Sequence, residues 1–125
     1  MIPDTLKYTK SHEWVLKLDD GAVRIGLTDY AQQELGDLVF VDLPQVGDAV
    51  TAGESCCEVE SVKAVSPVYS PVSGTVRAVN EALLDAPETI NNAPYDAWLI
   101  EVENVSGTGE LLDAAAYEQV IAEEK

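Results

Sequence analysis

One lysine stands apart from the others. Lys7, Lys10, Lys17 and Lys125 lie near the two ends of the chain, and Lys63 is the only lysine between residues 18 and 124. It follows Gly53 by 10 residues and precedes Gly74 by 11, counted as 63−53 and 74−63. Two arms of nearly equal length meeting at a polar point is the geometry of a hairpin tip. An exposed lysine amine can be joined to a carboxylic acid through an amide, which removes the charge and leaves a long flexible tether. A tether keeps a reactive group at high effective concentration near each active site it visits. The plainer reading, a solvated lysine in a surface turn, is favoured by roughly ten to one for an arbitrary lysine, and position alone does not reverse it.

Other residue types could do chemistry here. Cys56 and Cys57 are adjacent. Their Cα atoms are therefore about 3.8 Å apart, below the roughly 4.4 Å minimum usual for disulfides. A structural disulfide within the chain is not expected; one thiol should be buried and the other exposed, since neighbours in a strand face opposite ways. A thiol enzyme would need a base, and His12 is the only histidine. One histidine and two neighbouring cysteines give no metal-ligand spacing, so no metal is expected.

Composition narrows the classes of partner. The chain has 125 residues, 46% hydrophobic and 24% charged, which suits a single domain over residues 1–125. With 23 acidic and 7 basic residues the formal charge is -16, which repels nucleic-acid backbones and anionic membranes. It would suit steering toward basic rims of partner enzymes. No apolar run approaches a membrane span, and Met1-Ile2-Pro3-Asp4 has no signal-peptide character. The expectation is a bacterial cytoplasmic protein, or a processed organelle form that would look the same.

The elements that must position Lys63 are short and mostly extended. His12 to Leu18 and Ala22 to Leu27 flank Asp19-Asp20-Gly21, a hairpin signal. Thr28 or Asp29 can cap a helix through Leu35, with Gly36 as its stop. Asp37 to Leu43 reads as a buried strand and Ala49-Val50 as a brief one. Ser55 to Glu60 and Val65 to Tyr69 flank the tip Ser61-Val62-Lys63-Ala64, and Pro67 confines the second to an edge or bulge. Thr75 to Asn80 is a further strand, and Glu81 to Asp85 is compatible with one helical turn. Pro87 to Asp96 reads as an irregular loop, and Trp98, Ile100 and Val102 alternate with Glu101 and Glu103 as a strand with one wet face. Asp113 caps a last helix, with Leu112 and Tyr117 as a hydrophobic staple. About eight strands with two or three short helices give a mainly β barrel or sandwich. A faint echo links Val46-Gly47-Asp48-Ala49-Val50 with Val72-Ser73-Gly74-Thr75-Val76.

The segment Val59-Glu60-Ser61-Val62-Lys63-Ala64, followed by Tyr69-Ser70-Pro71-Val72-Ser73-Gly74, resembles the lipoylation hairpin of glycine cleavage H proteins. The resemblance extends to Lys7 through Val15, Ile25 through Gln32 and Leu35 through Pro44, and so to nearly the whole chain. It implies a barrel-sandwich hybrid of the lipoyl-domain type, with N6-lipoyl-lysine at Lys63 and no catalysis by the chain itself. The implied partners are a pyridoxal-phosphate glycine decarboxylase, a tetrahydrofolate-dependent aminomethyltransferase, a flavin dihydrolipoyl dehydrogenase and a lipoylating enzyme. Ser11, His12 and Glu13 match the family segment close to a cleft that shelters the arm, with Glu13 a carboxylate for the carried amine. With Trp14 next to them, the same residues could instead only anchor the first strand. Glu60 would aid recognition by the lipoylating enzyme, or would simply keep the tip solvated. Two features depart from the family pattern: Cys56-Cys57 stands where small or apolar residues are usual, and Asn92 through Trp98 is shorter and poorer in glycine than the corresponding loop.

Three rivals remain at this point. A biotin carrier shares the architecture, but its lysine is typically flanked by methionines, whereas Val62 and Ala64 flank Lys63. An H-like protein could serve mainly to relay lipoyl groups to other enzymes. A thiol enzyme would use Cys57 with His12 as base.

Overall fold

A computed structural model describes residues 2–124. Nine strands and four short helices follow one another as β1 (Lys7–Tyr8), β2 (Glu13–Lys17), β3 (Val23–Leu27), α1 (Asp29–Leu35), β4 (Leu38–Asp42), β5 (Ala49–Val50), β6 (Ser55–Ser61), β7 (Val65–Tyr69), β8 (Val72–Val79), α2 (Ala82–Asp85), α3 (Thr89–Asn92), β9 (Ile100–Thr108) and α4 (Ala114–Glu124). They form a six-stranded sheet in the order β1-β2-β3-β9-β8-β5 and a three-stranded sheet in the order β4-β6-β7. Every pairing is antiparallel. This is the mainly β, lipoyl-domain-like barrel-sandwich hybrid with a C-terminal helix that the resemblance implied, with four short helices where two or three were expected.

Apolar alternation on the strands builds the core. Ile25, Val76, Ile100 and Val102 of the larger sheet join Val41, Val59 and Val68 of the smaller one, all essentially buried. A second cluster gathers Leu6, Tyr8, Trp14 and Tyr117, and fixes α4 against the β1 edge. The rings of Tyr8 and Tyr117 stack with centroids 4.8 Å apart. Asp113 caps α4, its Oδ1 accepting from the Ala116 N–H at 2.8 Å, and Leu112 packs with Tyr117 as the staple requires. Gly26 lets Trp14 lie flat on β3: a Cβ there would meet the indole at 2.4 Å.

The echoing segments prove to be partners. Ala49 pairs with Thr75 and Val50 with Gly74, and the Gly47 N–H donates to the Val76 carbonyl at 2.8 Å.

Four expectations are corrected. Asp37 to Leu43 is not a buried strand. A bulge between Leu38 and Phe40 breaks the alternation on this sheet edge, and Val39 and Phe40 are 51% and 54% exposed. The run from Pro87 to Asp96 is not wholly irregular, because α3 forms within it and buries Ile90. Trp98 precedes β9 rather than beginning it, and its ring lies under the Arg24 guanidinium at 4.8 Å. Glu101 does not face water. It is buried between Arg24, which donates from Nε to Oε1 at 2.9 Å, and Arg77, which donates from Nε to Oε2 at 2.7 Å. Burial alone would push its carboxyl up; the two guanidinium groups outweigh burial and hold it below the usual range.

Candidate functional site

The hairpin of β6 and β7 ends in a tight polar turn. Glu60 pairs with Val65 as the last rung, and buried Ser61 closes the tip. Its N–H donates to the Ala64 carbonyl at 2.8 Å, and its Oγ accepts from the N–H groups of Lys63 and Ala64 at 3.2 and 3.1 Å. Such a serine turn satisfies the backbone internally and leaves the side chains at the tip free to project. Lys63 is exposed, and among the described residues no ion pair holds it.

The tip does not wave freely. The Val62 N–H donates to the Asp37 carbonyl at 3.0 Å, which ties it to the turn between α1 and β4. Gly36 ends α1 at φ +84, and a Cβ built there would lie 3.5 Å from the Lys63 Cε. Thr28 caps the other end of α1, its Oγ1 accepting from the Ala31 N–H at 3.2 Å. Asn91 of α3 locks this junction: its Nδ2 donates to the Gln32 side chain at 3.0 Å and the Gly36 carbonyl at 2.9 Å. Its Oδ1 accepts from the Leu38 N–H at 2.9 Å. Sequence reasoning missed Asn91; the adjacent asparagines between prolines were a signal for a turn, but not for where its amide reaches.

Along the same hairpin lies a cleft of about 190 Å³, lined by Ser11, His12 and Glu13, by Glu34 and Leu35 of α1, and by Ser66, Pro67 and Val68 of β7 among others. Leu35 in its wall precedes Gly36, the glycine that the Lys63 stem approaches. The three residues Ser11, His12 and Glu13 come together there, but in different roles.

Glu13 is 1% exposed. Its Oε1 accepts from Thr9 Oγ1 at 2.7 Å and Ser11 Oγ at 2.6 Å. Its Oε2 has only a long 3.4 Å contact from the Tyr69 N–H. Burial pushes the carboxyl above the usual range; the Ser11 and Thr9 hydroxyls, the Tyr69 N–H and the neighbouring His12 ring pull it partly back. A cation brought against a buried carboxylate in a cleft wall would offset the cost of its desolvation.

His12 is held by others. Its backbone has φ 75, a left-handed conformation that costs a non-glycine residue on the order of 1 kcal/mol. Its Nδ1 lies 2.8 Å from the Tyr117 hydroxyl and its Nε2 3.0 Å from Glu124. Tyr117 continues to Thr28 Oγ1 at 2.6 Å. Both ring nitrogens are engaged, so His12 pins α4 to the cleft rim. It is not available as a base for Cys57.

Glu60 stands on the exposed face of β6, between Phe40 of β4 and Val65 of β7 in register, both more than half exposed. Cys57 is buried and Cys56 half-buried, both free, with Sγ atoms 3.5 Å apart. The adjacent Cys56 sulfur and burial push the Cys57 thiol up, which opposes thiolate chemistry. The bulge between Ser55 and Cys57 brings the sulfurs together where strict alternation would separate them. Among the described residues no cluster of three or more His, Cys, Asp or Glu could hold a metal, and no helix is long and apolar enough to cross a membrane.

A barrel-sandwich hybrid that presents one exposed lysine on a braced hairpin tip is the architecture that lipoyl and biotinyl carrier domains share. Within that class the assignment is specific. A family model described as "Glycine cleavage H-protein" matches residues 6–124. The chain is 54% identical over 123 residues to a probable glycine cleavage system H protein of Pyrococcus furiosus, covering 96% of this chain and 92% of that one. It is 53% identical over 126 residues to the glycine cleavage system H protein of Shewanella baltica, covering 98% of each. The crystal structure of a glycine cleavage system H protein from Mycobacterium marinum superposes with a TM-score of 0.91 at 46% identity, over 97% of this chain and 99% of that one. The chain belongs to the glycine cleavage H-protein family.

Proposed function

We propose that this chain is a single-domain lipoyl carrier of the glycine cleavage system, with lipoate amide-linked to the ε-amino group of Lys63. The observation that carries this reading is an exposed lysine at a braced tip, in no ion pair among the described residues, on a hairpin that also helps to line a cleft containing the buried carboxyl of Glu13. The dithiolane of the attached lipoate supplies the sulfur and the electron acceptor for taking up the one-carbon amine unit of glycine.

The residues of the chain do the carrying. Ser61 and Asp37 fix the origin of the arm. The cleft beside α1 receives the arm between visits, where reduced water access slows loss of the carried amine. Ser11 and Thr9 orient Glu13 so that Oε2 faces a cationic amine. His12 keeps the rim in place through Tyr117 and Glu124. Glu60 meets the lipoylating enzyme on the face it shares with Phe40 and Val65. The chain itself breaks no bond; decarboxylation, one-carbon transfer and reoxidation belong to the pyridoxal-phosphate decarboxylase, the tetrahydrofolate-dependent aminomethyltransferase and the flavin dihydrolipoyl dehydrogenase.

Exchange of bicarbonate carbon into glycine by the decarboxylase tests this. It should require the lipoylated chain, and exchange supported equally by the unmodified chain would refute the carrier role.

A further inference from the structure

Beyond Val15, the inward face of β2 changes character. Glu13, Val15 and Lys17 alternate onto one side of the strand, the first two buried and the third exposed. Lys7 of β1 pairs with Val15, and Lys17 pairs with Val23. Lys7 and Lys17 are thus diagonal neighbours on adjacent strands, roughly 7–8 Å apart at the backbone. Both line a cavity of about 380 Å³ walled by Val15, Val23, Val72 and Leu111. Three of those valines, Val15, Val23 and Val72, belong to the main core, so the cavity is an opening into the core with two ammonium groups at its mouth.

Lysines often lay their stems on apolar surface and keep their heads in water. Two facts separate this pair from that habit. Like charges this near one another repel, yet in a chain with 23 acidic residues neither is in an ion pair among the described residues. Among the described residues the ion pairs take Lys10, Arg24, Arg77 and His12, and none takes Lys7 or Lys17. In addition, no acidic side chain lines the cavity; its remaining polar wall is Thr5 and Thr108. An apolar hole with an uncompensated positive mouth, on a chain of charge -16, is complementary to an amphiphilic anion.

We infer that this cavity binds a straight-chain, medium-length alkyl carboxylate, its chain among the valines and its carboxylate between Lys7 and Lys17. The volume falls within the range of small-molecule sites, roughly 300–1,000 Å³. Carboxylates suit paired ammonium groups, and the two threonine hydroxyls can donate to the same head group. The site does not involve Lys63, so it stands or falls independently of the carrier role.

Titration of the isotopically labelled full chain with decanoate, followed by amide NMR shifts, tests it. Saturable shifts at Val15, Val23, Val72 and Leu111 are expected, with decanol, of equal chain length but uncharged, binding about tenfold more weakly. The double variant Lys7→Gln, Lys17→Gln, altering only exposed side chains, should also bind decanoate about tenfold more weakly, while Lys63→Ala binds as the parent does. Shifts that do not saturate, that arise elsewhere, that are equal for decanol, or that persist undiminished in the double variant would each overturn the inference.

Discussion

The stem of Lys63 crosses the glycine that ends α1: its Cε would lie 3.5 Å from a Cβ placed on Gly36. That separation is an ordinary contact, so a methyl group there would touch the arm without blocking it. The backbone is less tolerant, since φ is +84 and Gly36 stops the helix by donating its N–H to the Gln32 carbonyl at 3.0 Å. Gly36→Ala should therefore lower stability by about 1–2 kcal/mol in denaturant unfolding, while the folded variant still accepts lipoate on Lys63.

Glu13 gives a pH signature. Its carboxyl is raised by burial, so the folded state binds its proton more tightly than the unfolded state does. Its contribution is fully present below the ordinary carboxylate range and is lost as pH rises through the raised value. Glu13→Gln does not pay this penalty, so its melting temperature relative to the parent's should rise as pH climbs out of the ordinary carboxylate range. The same variant should release the carried amine from the loaded arm faster than the parent. An unchanged release rate would remove Glu13 from the cleft's function and leave it a structural role only.

Asn91 joins α1, β4 and α3 through three hydrogen bonds made by one amide. Asn91→Ala strands the Leu38 N–H and the Gly36 carbonyl, and should cost about 1–3 kcal/mol. Hydrogen exchange should quicken at Leu38 and Val62, the two amides that brace the tip, before it quickens in β9.

Glu60 faces outward between two exposed apolar side chains, beside the tip. Glu60→Ala should leave the unfolding free energy within about 0.5 kcal/mol of the parent's, as exposed substitutions usually do, and should slow enzymatic lipoylation. An unchanged rate would reduce Glu60 to a solvating charge.

The parts of this fold written in local patterns could be read directly. Asp19-Asp20-Gly21 turns β2 into β3, Thr28 and Gly36 bracket α1, and the tip at Ser61 to Ala64 lies where the glycine spacing puts it. What escaped reading depends on residues far apart in the chain. Glu101 alternates as a solvent-facing residue would, and only the arrival of Arg24 and Arg77 from neighbouring strands buries it. His12 meets Glu124, 112 residues away, so its engagement could not be inferred from Ser11-His12-Glu13 alone. The bulges in β4 and β6 likewise overturned strict alternation at Phe40 and at the cysteine pair, since a single inserted residue reassigns the faces on either side of it. The exposed position of Lys63 was legible in local spacing, and the grouping of Ser11, His12 and Glu13 at one cleft followed from the family resemblance. The brace beneath the tip was not legible, because Asn91 reaches it from a different turn.

Intact-mass measurement after incubation with a lipoate ligase, ATP and lipoate tests the central claim most directly. The parent chain should gain the mass of one lipoyl group and Lys63→Ala should gain none. A parent that stays unmodified, or a variant modified to the same extent, would contradict the assignment of Lys63 as the point of attachment.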